Sequence, residues 1–229
     1  MPRGDGVARL DRDKILTAAL AVADRHGLSR MTLRMVGSEL GADPTAVYRH
    51  FANKDALVAA MADRLFVEVV AADYPDDWRE RFIALIRAVR DLYRAHPTIV
   101  DALANLPEES PGLVAINELS AGCLAEAGVD PVRIGLFHQF VAAYMVGTGV
   151  LEGSWSEVDG SRDASRRAYL ALDPQRFPNC VAIAGSMFPE GDDVLEFVIE
   201  ILLDAIVRVA GPPAGARQST VRQPSRKKP

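Results

Sequence analysis

Cysteine is almost absent from this sequence: Cys123 and Cys180 are the whole complement, far apart and in no Cys-x-x-Cys spacing. That excludes a disulfide framework and a cysteine-based zinc site, and leaves both thiols readable as small buried hydrophobes in a reducing compartment. Histidine is nearly as scarce. His26, His50, His96 and His138 stand outside any His-Glu-x-x-His pair, and no Gly-x-Ser-x-Gly elbow occurs. Gly147-Thr148-Gly149 is a lone Gly-x-Gly inside an apolar run with no strand before it. The acidic pairs Asp76-Asp77, Glu108-Glu109 and Asp192-Asp193 fall at helix starts, where capping and the helix dipole account for them. The chain is therefore expected to have no catalytic centre, no metal site and no cofactor. Strand-like alternation and internal repeats are also missing. Met1–Asp13 mixes Arg and Asp without an apolar run, so no secretory signal is expected. The longest uncharged apolar stretch, Phe140–Leu151, is too short for a bilayer, which points to a cytoplasmic protein with no membrane partner.

Acid predominates overall, at a net charge of −5, but unevenly. Residues 1–66 carry ten Lys/Arg against eight Asp/Glu (+2), residues 67–210 eleven against twenty-three (−12), and residues 211–229 five against none (+5). The N-terminal part is thus free to meet phosphate, which the net charge alone conceals.

What remains is helical periodicity throughout. Ile15, Ala19, Val22 and Ala23 predict a first helix over Asp13–His26, stopped by Gly27. Thr32 caps a short second helix, Leu33–Leu40, ended by Gly41, and Asp43-Pro44 opens a third that runs to about Phe51. Asn53 caps a fourth through Leu57, Met61 and Leu65 to Val70. Further helices are predicted from Asp77 to His96, after Pro97, from Ser110-Pro111 to about Gly128, from Asp130-Pro131 to about Glu152 or Trp155, and over Arg162–Leu172. A loop follows over Asp173–Gly191, and Asp192 caps a last helix, Val194–Val209. The fold class is all-α: a flexible arm (1–10), a three-helix helix-turn-helix domain (11–56), a larger helical domain (57–210) for effector binding and dimerisation, and a disordered basic tail (211–229).

The window Thr32–Lys54 carries the function. Two short helices meet at a turn that needs a residue tolerant of positive φ, which Gly41 supplies, and they cross where Gly37 allows close approach. Leu33, Val36, Leu40, Val47 and Phe51 fall where they bury the pair against the first helix. The outer face of the third helix then presents Thr45, Ala46, Tyr48, Arg49 and His50 to a major groove. Tyr48 and His50 can donate to phosphate, and Arg49 can reach phosphate or a guanine edge. Thr32 and Lys54 stand at helix N-termini, where free N–H groups and the dipole favour an anion.

With Ala18-Ala19, Gly27, Thr32-Leu33, Leu40-Gly41, Tyr48-Arg49-His50-Phe51 and Asn53-Lys54, the stretch Ile15–Leu57 resembles the DNA-binding domain of the TetR (tetracycline-repressor) family, over about a fifth of the chain. The His96-Pro97 break, long eighth helix and terminal Leu-Leu-Asp helix are similar as well. The resemblance implies a homodimeric repressor on a palindromic double-stranded operator, released by a small-molecule effector of unknown identity. It places Thr32, Tyr48 and Lys54 on phosphates, with Arg34, Thr45, Ala46 and Arg49 near bases. Gly37 departs from the usual Ala of the family, at a cost in helix propensity of about 1 kcal/mol.

The residues themselves leave a DNA-binding architectural protein without an effector as the alternative. Phe137, His138, Val141, Tyr144 and Thr148 fall near one stripe of the long helix, and the first four with Met61 are the candidate effector contacts, although plain core or dimer interface also explains such a stripe. Leu195, Val198, Ile199, Leu202, Leu203, Ile206 and Val209 cover too wide an arc of the last helix for one packed side, so a partner subunit is expected there.

Overall fold

The computed structural model describes residues 11–156, 161–187, 189 and 191–210; the predicted arm (1–10) and basic tail (211–229) lie outside these. Regular structure among them is entirely helical. In chain order it comprises α1 (Arg12–His26), α2 (Leu33–Glu39), α3 (Pro44–Tyr48), α4 (Lys54–Val70), α5 (Trp78–Ala95), a 3₁₀ turn (Pro97–Ile99), α6 (Val100–Ala104), α7 (Pro111–Glu126), α8 (Pro131–Ser156), α9 (Ser161–Leu170), α10 (Pro178–Ile183) and α11 (Gly191–Val209).

Two compact units divide the chain. Of the described residues, the first holds 11–72, 87–116 and 144–156, and the second 73–86, 117–143 and those from 161 to 210. In the first unit, caps set the helix boundaries. The Asp11 carboxylate accepts from the Lys14 amide (2.8 Å) and so starts α1 one residue before the predicted Asp13. Gly27 ends it at φ 80°. The Asn53 side chain accepts from the Ala56 amide (2.8 Å) and opens α4. Ile15, Ala19 and Val22 of α1, Val36 of α2, Val47 of α3 and Leu57 and Met61 of α4 are all but completely buried and form one core.

Polar bonds tie α4 to the rest of this unit. Arg64 Nη1 donates to the Asp13 carbonyl (2.9 Å) and the Thr17 hydroxyl (2.8 Å) on α1, while its Nε pairs with Glu68. The Asp63 carboxylate accepts from the Gly112 amide (2.7 Å), so a side chain of α4 caps the first turn of α7. Gly112 packs so tightly there that a Cβ would overlap the Asp63 carbonyl oxygen. A similar approach occurs at Gly149, where a Cβ would stand 2.8 Å from the Tyr93 ring and 3.0 Å from Val100. Burial pushes the Tyr93 phenol up to about 12.

In the second unit Phe82, Cys123, Leu124, Leu195, Ile199, Leu202 and Ile206 are buried. Arg81 donates to the Cys123 sulfur (3.4 Å), pairs with Glu126 and donates to the Asp76 carbonyl (2.8 Å). Arg133 Nη1 donates to the Val209 carbonyl (3.4 Å), which sets the start of α8 beside the end of α11.

The structure corrects five sequence expectations. The segment Asp173–Gly191 is not wholly loop but holds α10, because Pro178 initiates a helix at its first position instead of breaking one. The helix α3 stops at Tyr48 instead of Phe51, its last turn tightened by the His50 amide donating to Val47 O (3.0 Å). Leu40 is only half-buried beneath the helix pair, and Cys180, on α10, is also half-exposed. Finally, Pro131–Leu151 is by length and composition one helix long and apolar enough to cross a membrane, since Arg133, His138 and Gln139, which end the uncharged run at Phe140, do not make the longer span polar overall.

The two glycines of α7 should respond oppositely to alanine. Gly112→Ala drives a methyl into the α4 backbone and should lower the unfolding free energy by about 1–3 kcal/mol. Gly122 has open space around its Cβ position, so Gly122→Ala should raise it by about 0.5–1 kcal/mol through helix propensity. Urea unfolding of the two variants measures both signs.

Candidate nucleic-acid interface

The turn between α2 and α3 forms as its glycine demands. Gly41 sits at φ 61°, in the left-handed region, and the Ala42 amide donates back to the Gly37 carbonyl (2.9 Å) across the end of α2. Gly37 is buried and presents no side chain there. Leu33, Val36, Val47 and Phe51 are buried, so α2 and α3 turn one face inward and leave the other in water. This is a helix-turn-helix.

All eight residues singled out for DNA belong to the first unit. Thr32, Arg34, Thr45, Tyr48, Arg49 and His50 are exposed, and Ala46 and Lys54 are half-buried. Thr32 is the N-cap of α2, and its hydroxyl oxygen accepts from the Met35 amide (3.2 Å), which leaves the hydroxyl hydrogen free to donate. Arg34 follows in the first turn of α2. Arg49 is the C-cap of α3, and His50 lies just beyond it, so both side chains issue from the exit of the short helix and not from its middle. Lys54 begins α4, and its ammonium donates to the Ser29 carbonyl (3.0 Å) in the turn between α1 and α2. That bond spans the base of the helix pair and leaves two of three ammonium hydrogens available.

Two features of this surface escaped the sequence. The Arg12 guanidinium lies 4.6 Å from the centre of the Phe51 ring, joining the start of α1 to the segment after α3. Asp43 is more than a helix cap, because one of its oxygens, Oδ1, accepts from both the Thr45 amide (2.7 Å) and the Thr45 hydroxyl (2.6 Å). These bonds, the hydroxyl's first, hold the Asp43 carboxyl below the usual carboxylate range, with a smaller contribution from the Arg49 charge. The spacing Asp-x-Thr was the available signal.

The candidate effector residues fall in both units. Met61 is fully buried in the first, which also holds Tyr144; Phe137, His138 and Val141 lie half-buried in the second.

Comparison with known proteins bears on this geometry. Residues 15–61 match the bacterial regulatory proteins of the tetR family, and residues 71–209 match the tetracyclin repressor-like C-terminal domain. An HTH-type transcriptional regulator of Saccharopolyspora erythraea is 28% identical over 186 residues, covering 80% of this chain and 78% of that protein. The HTH-type transcriptional repressor DrrR1 of Streptomyces coeruleorubidus is 25% identical over 215 residues, 86% of this chain and 77% of DrrR1. Among solved structures, apo ActR from Streptomyces coelicolor shares the fold with a TM-score of 0.79 at 22% identity, covering 90% of this chain and 99% of ActR. ActR has also been solved in complex with actinorhodin. With a buried helix-turn-helix core at one end and family matches that together run from residue 15 to residue 209, the chain belongs to the TetR family of transcriptional regulators.

Proposed function

We propose that this regulator is a repressor that binds a palindromic operator as a homodimer and leaves it when a small molecule binds the larger helical region, residues 57–210. The observation that carries the DNA half is the exposed surface of α3 and its flanks, where Thr45, Tyr48, Arg49 and His50 stand in water above a sealed core. Thr32, Tyr48 and Lys54 then hold phosphates, and Arg34, Thr45, Ala46 and Arg49 face bases. Lys54 reaches its phosphate from a position already fixed by Ser29.

The dimer reading is supported by two exposed apolar rows in the second unit. On α8, Val132, Leu136 and Phe140 recur every four residues at 76%, 66% and 56% exposure. On α11 the exposed large apolar residues are Phe197, Ile201 and Val207, with Glu200, Asp204 and Arg208 exposed among them, whereas Leu195, Ile199, Leu202 and Ile206 face inward. The sequence placed the partner against a set that includes those inward residues. The exposed row lies on the other side of the same helix. Paired α8 and α11 helices from two subunits would bury both rows in a four-helix bundle and present two α3 helices to successive major grooves.

An effector that rearranges residues 57–210 can reach the helix-turn-helix through α4, which Arg64 fastens to α1 and Asp63 to α7. The ActR complex with actinorhodin supports a ligand-sensing reading for a chain of this fold. A thermal-shift screen against a compound panel separates a sensor from an effector-free architectural protein, because a ligand bound only by the folded state raises the midpoint.

Lys54→Ala should weaken binding to every duplex alike and lower the magnitude of the salt slope by about one, as expected for one phosphate contact. Fluorescence anisotropy across a salt series measures both, and an altered base preference would remove Lys54 from the phosphate set. Leu136→Glu should give a folded monomer by light scattering and circular dichroism, with operator binding lost. Leu202→Glu should instead unfold the chain, since Leu202 is 3% exposed. A wild type that is monomeric at micromolar concentration would refute the dimer.

A further inference from the structure

The contact between Asp43 and Thr45 fixes a direction of hydrogen bonding on the recognition surface. A hydroxyl has one hydrogen and two lone pairs, whereas an ionised carboxylate has no hydrogen and only accepts. The 2.6 Å contact between Thr45 Oγ1 and Asp43 Oδ1 therefore consumes the only hydroxyl hydrogen of Thr45 in a short, charge-assisted bond. The same carboxylate oxygen accepts from the Thr45 backbone amide at 2.7 Å, which holds the two side chains in register. Thr45 is exposed, and what its oxygen offers outward is lone pairs.

Base edges in the major groove differ in what they return. Adenine N6 and cytosine N4 donate; guanine O6 and N7, adenine N7 and thymine O4 accept. An acceptor facing an acceptor is repelled, and the negative charge of Asp43 behind the hydroxyl adds to that repulsion. We infer that Asp43 makes Thr45 an obligate acceptor, so that the base edge facing Thr45 in the operator carries an exocyclic amino group, adenine N6 or cytosine N4. Asp43 is a positioning residue here and acts through Thr45. The inference rests on the DNA-binding reading above and adds to it the chemical identity of one contacted base edge.

The test starts by selecting tight-binding duplexes from a random-sequence library with the full-length wild type. Thr45→Val keeps the side-chain shape and removes the hydroxyl, so the base pair whose preference it flattens is the one Thr45 reads. In a selected duplex with adenine at that pair, 2-aminopurine replaces adenine, which deletes the major-groove amino group and keeps pairing with thymine. The wild type should bind this duplex about fivefold more weakly, the worth of one hydrogen bond, and Thr45→Val should not respond. Replacing the paired thymine by 4-thiothymine, a poorer acceptor, should leave wild-type affinity unchanged. Gly at an N-cap costs a helix only a few tenths of a kcal/mol, and it removes the carboxylate oxygen that holds the Thr45 hydroxyl hydrogen. Asp43→Gly should therefore keep its helix content by circular dichroism and cut the 2-aminopurine penalty below twofold. In the Thr45→Val background it should change nothing further at that pair.

A loss from 4-thiothymine with none from 2-aminopurine would overturn the inference. So would a full 2-aminopurine penalty in folded Asp43→Gly, or no flattened position in Thr45→Val. Should Asp43→Gly misfold, the two base analogues on the wild type still decide it. A wild type that retains no duplex at all refutes the DNA-binding reading itself, and the inference falls with it.

Discussion

Leu57, Met61 and Leu65 recur along one line of α4 and are buried to 2% exposure or less, so α4 cannot rotate without opening the core of the first unit. That constraint sets the positions of its neighbours. On one side α1 is held by apolar packing and by the Arg64 guanidinium reaching a backbone carbonyl and a hydroxyl. At the N-terminal end Lys54 fastens the turn from which α2 departs. On another side Asp63 supplies the cap that the first turn of α7 would otherwise seek from its own flank. One helix thereby carries the alignment of the DNA-facing pair and a direct link to the segment that follows α6.

Much of this was legible in the sequence for a local reason. Thr32, Asn53, Gly27 and Gly41 act on the backbone within a few residues of themselves, so their effect can be read without knowing the fold, and α2 and α4 begin at the residues they predict. The errors came where one residue type has two opposite uses. Three prolines within residues 173–191 read as a broken chain, but Pro178 occupies a first-turn position that lacks only an unneeded N–H. On α11 the apolar arc expected to face two sides is buried or half-buried throughout, and the exposed Phe197, Ile201 and Val207 lie outside it. That division depends on where α8 lies, and the Arg133 bond to Val209 fixes it only in three dimensions.

At the candidate interface, residue type and helical position were enough to choose the surface but not its chemistry. Thr45 and Arg49 were visible as polar and outward-facing. The direction in which Thr45 can share its hydrogen, and the exit of Arg49 and His50 from the end of α3 instead of its middle, required interatomic distances. Met61 shows the reverse limit. Its flexible thioether made it a candidate for a surface that repacks, and the fold seals it completely inside.

The junction of Gly112 with α4 has a consequence for how these helices can move. Most helix contacts pass through side chains, and helices packed in that way can slide past one another by small shear displacements. At Gly112 the backbone of α7 meets the backbone of α4 with no side chain between, and the one polar bond there joins an amide to a carboxylate. Such a joint has little slack, since the Asp63 side chain is its one soft element. A displacement of α7 against α4 at this point is therefore carried from backbone to backbone, as a detent carries it in a mechanism of rigid parts.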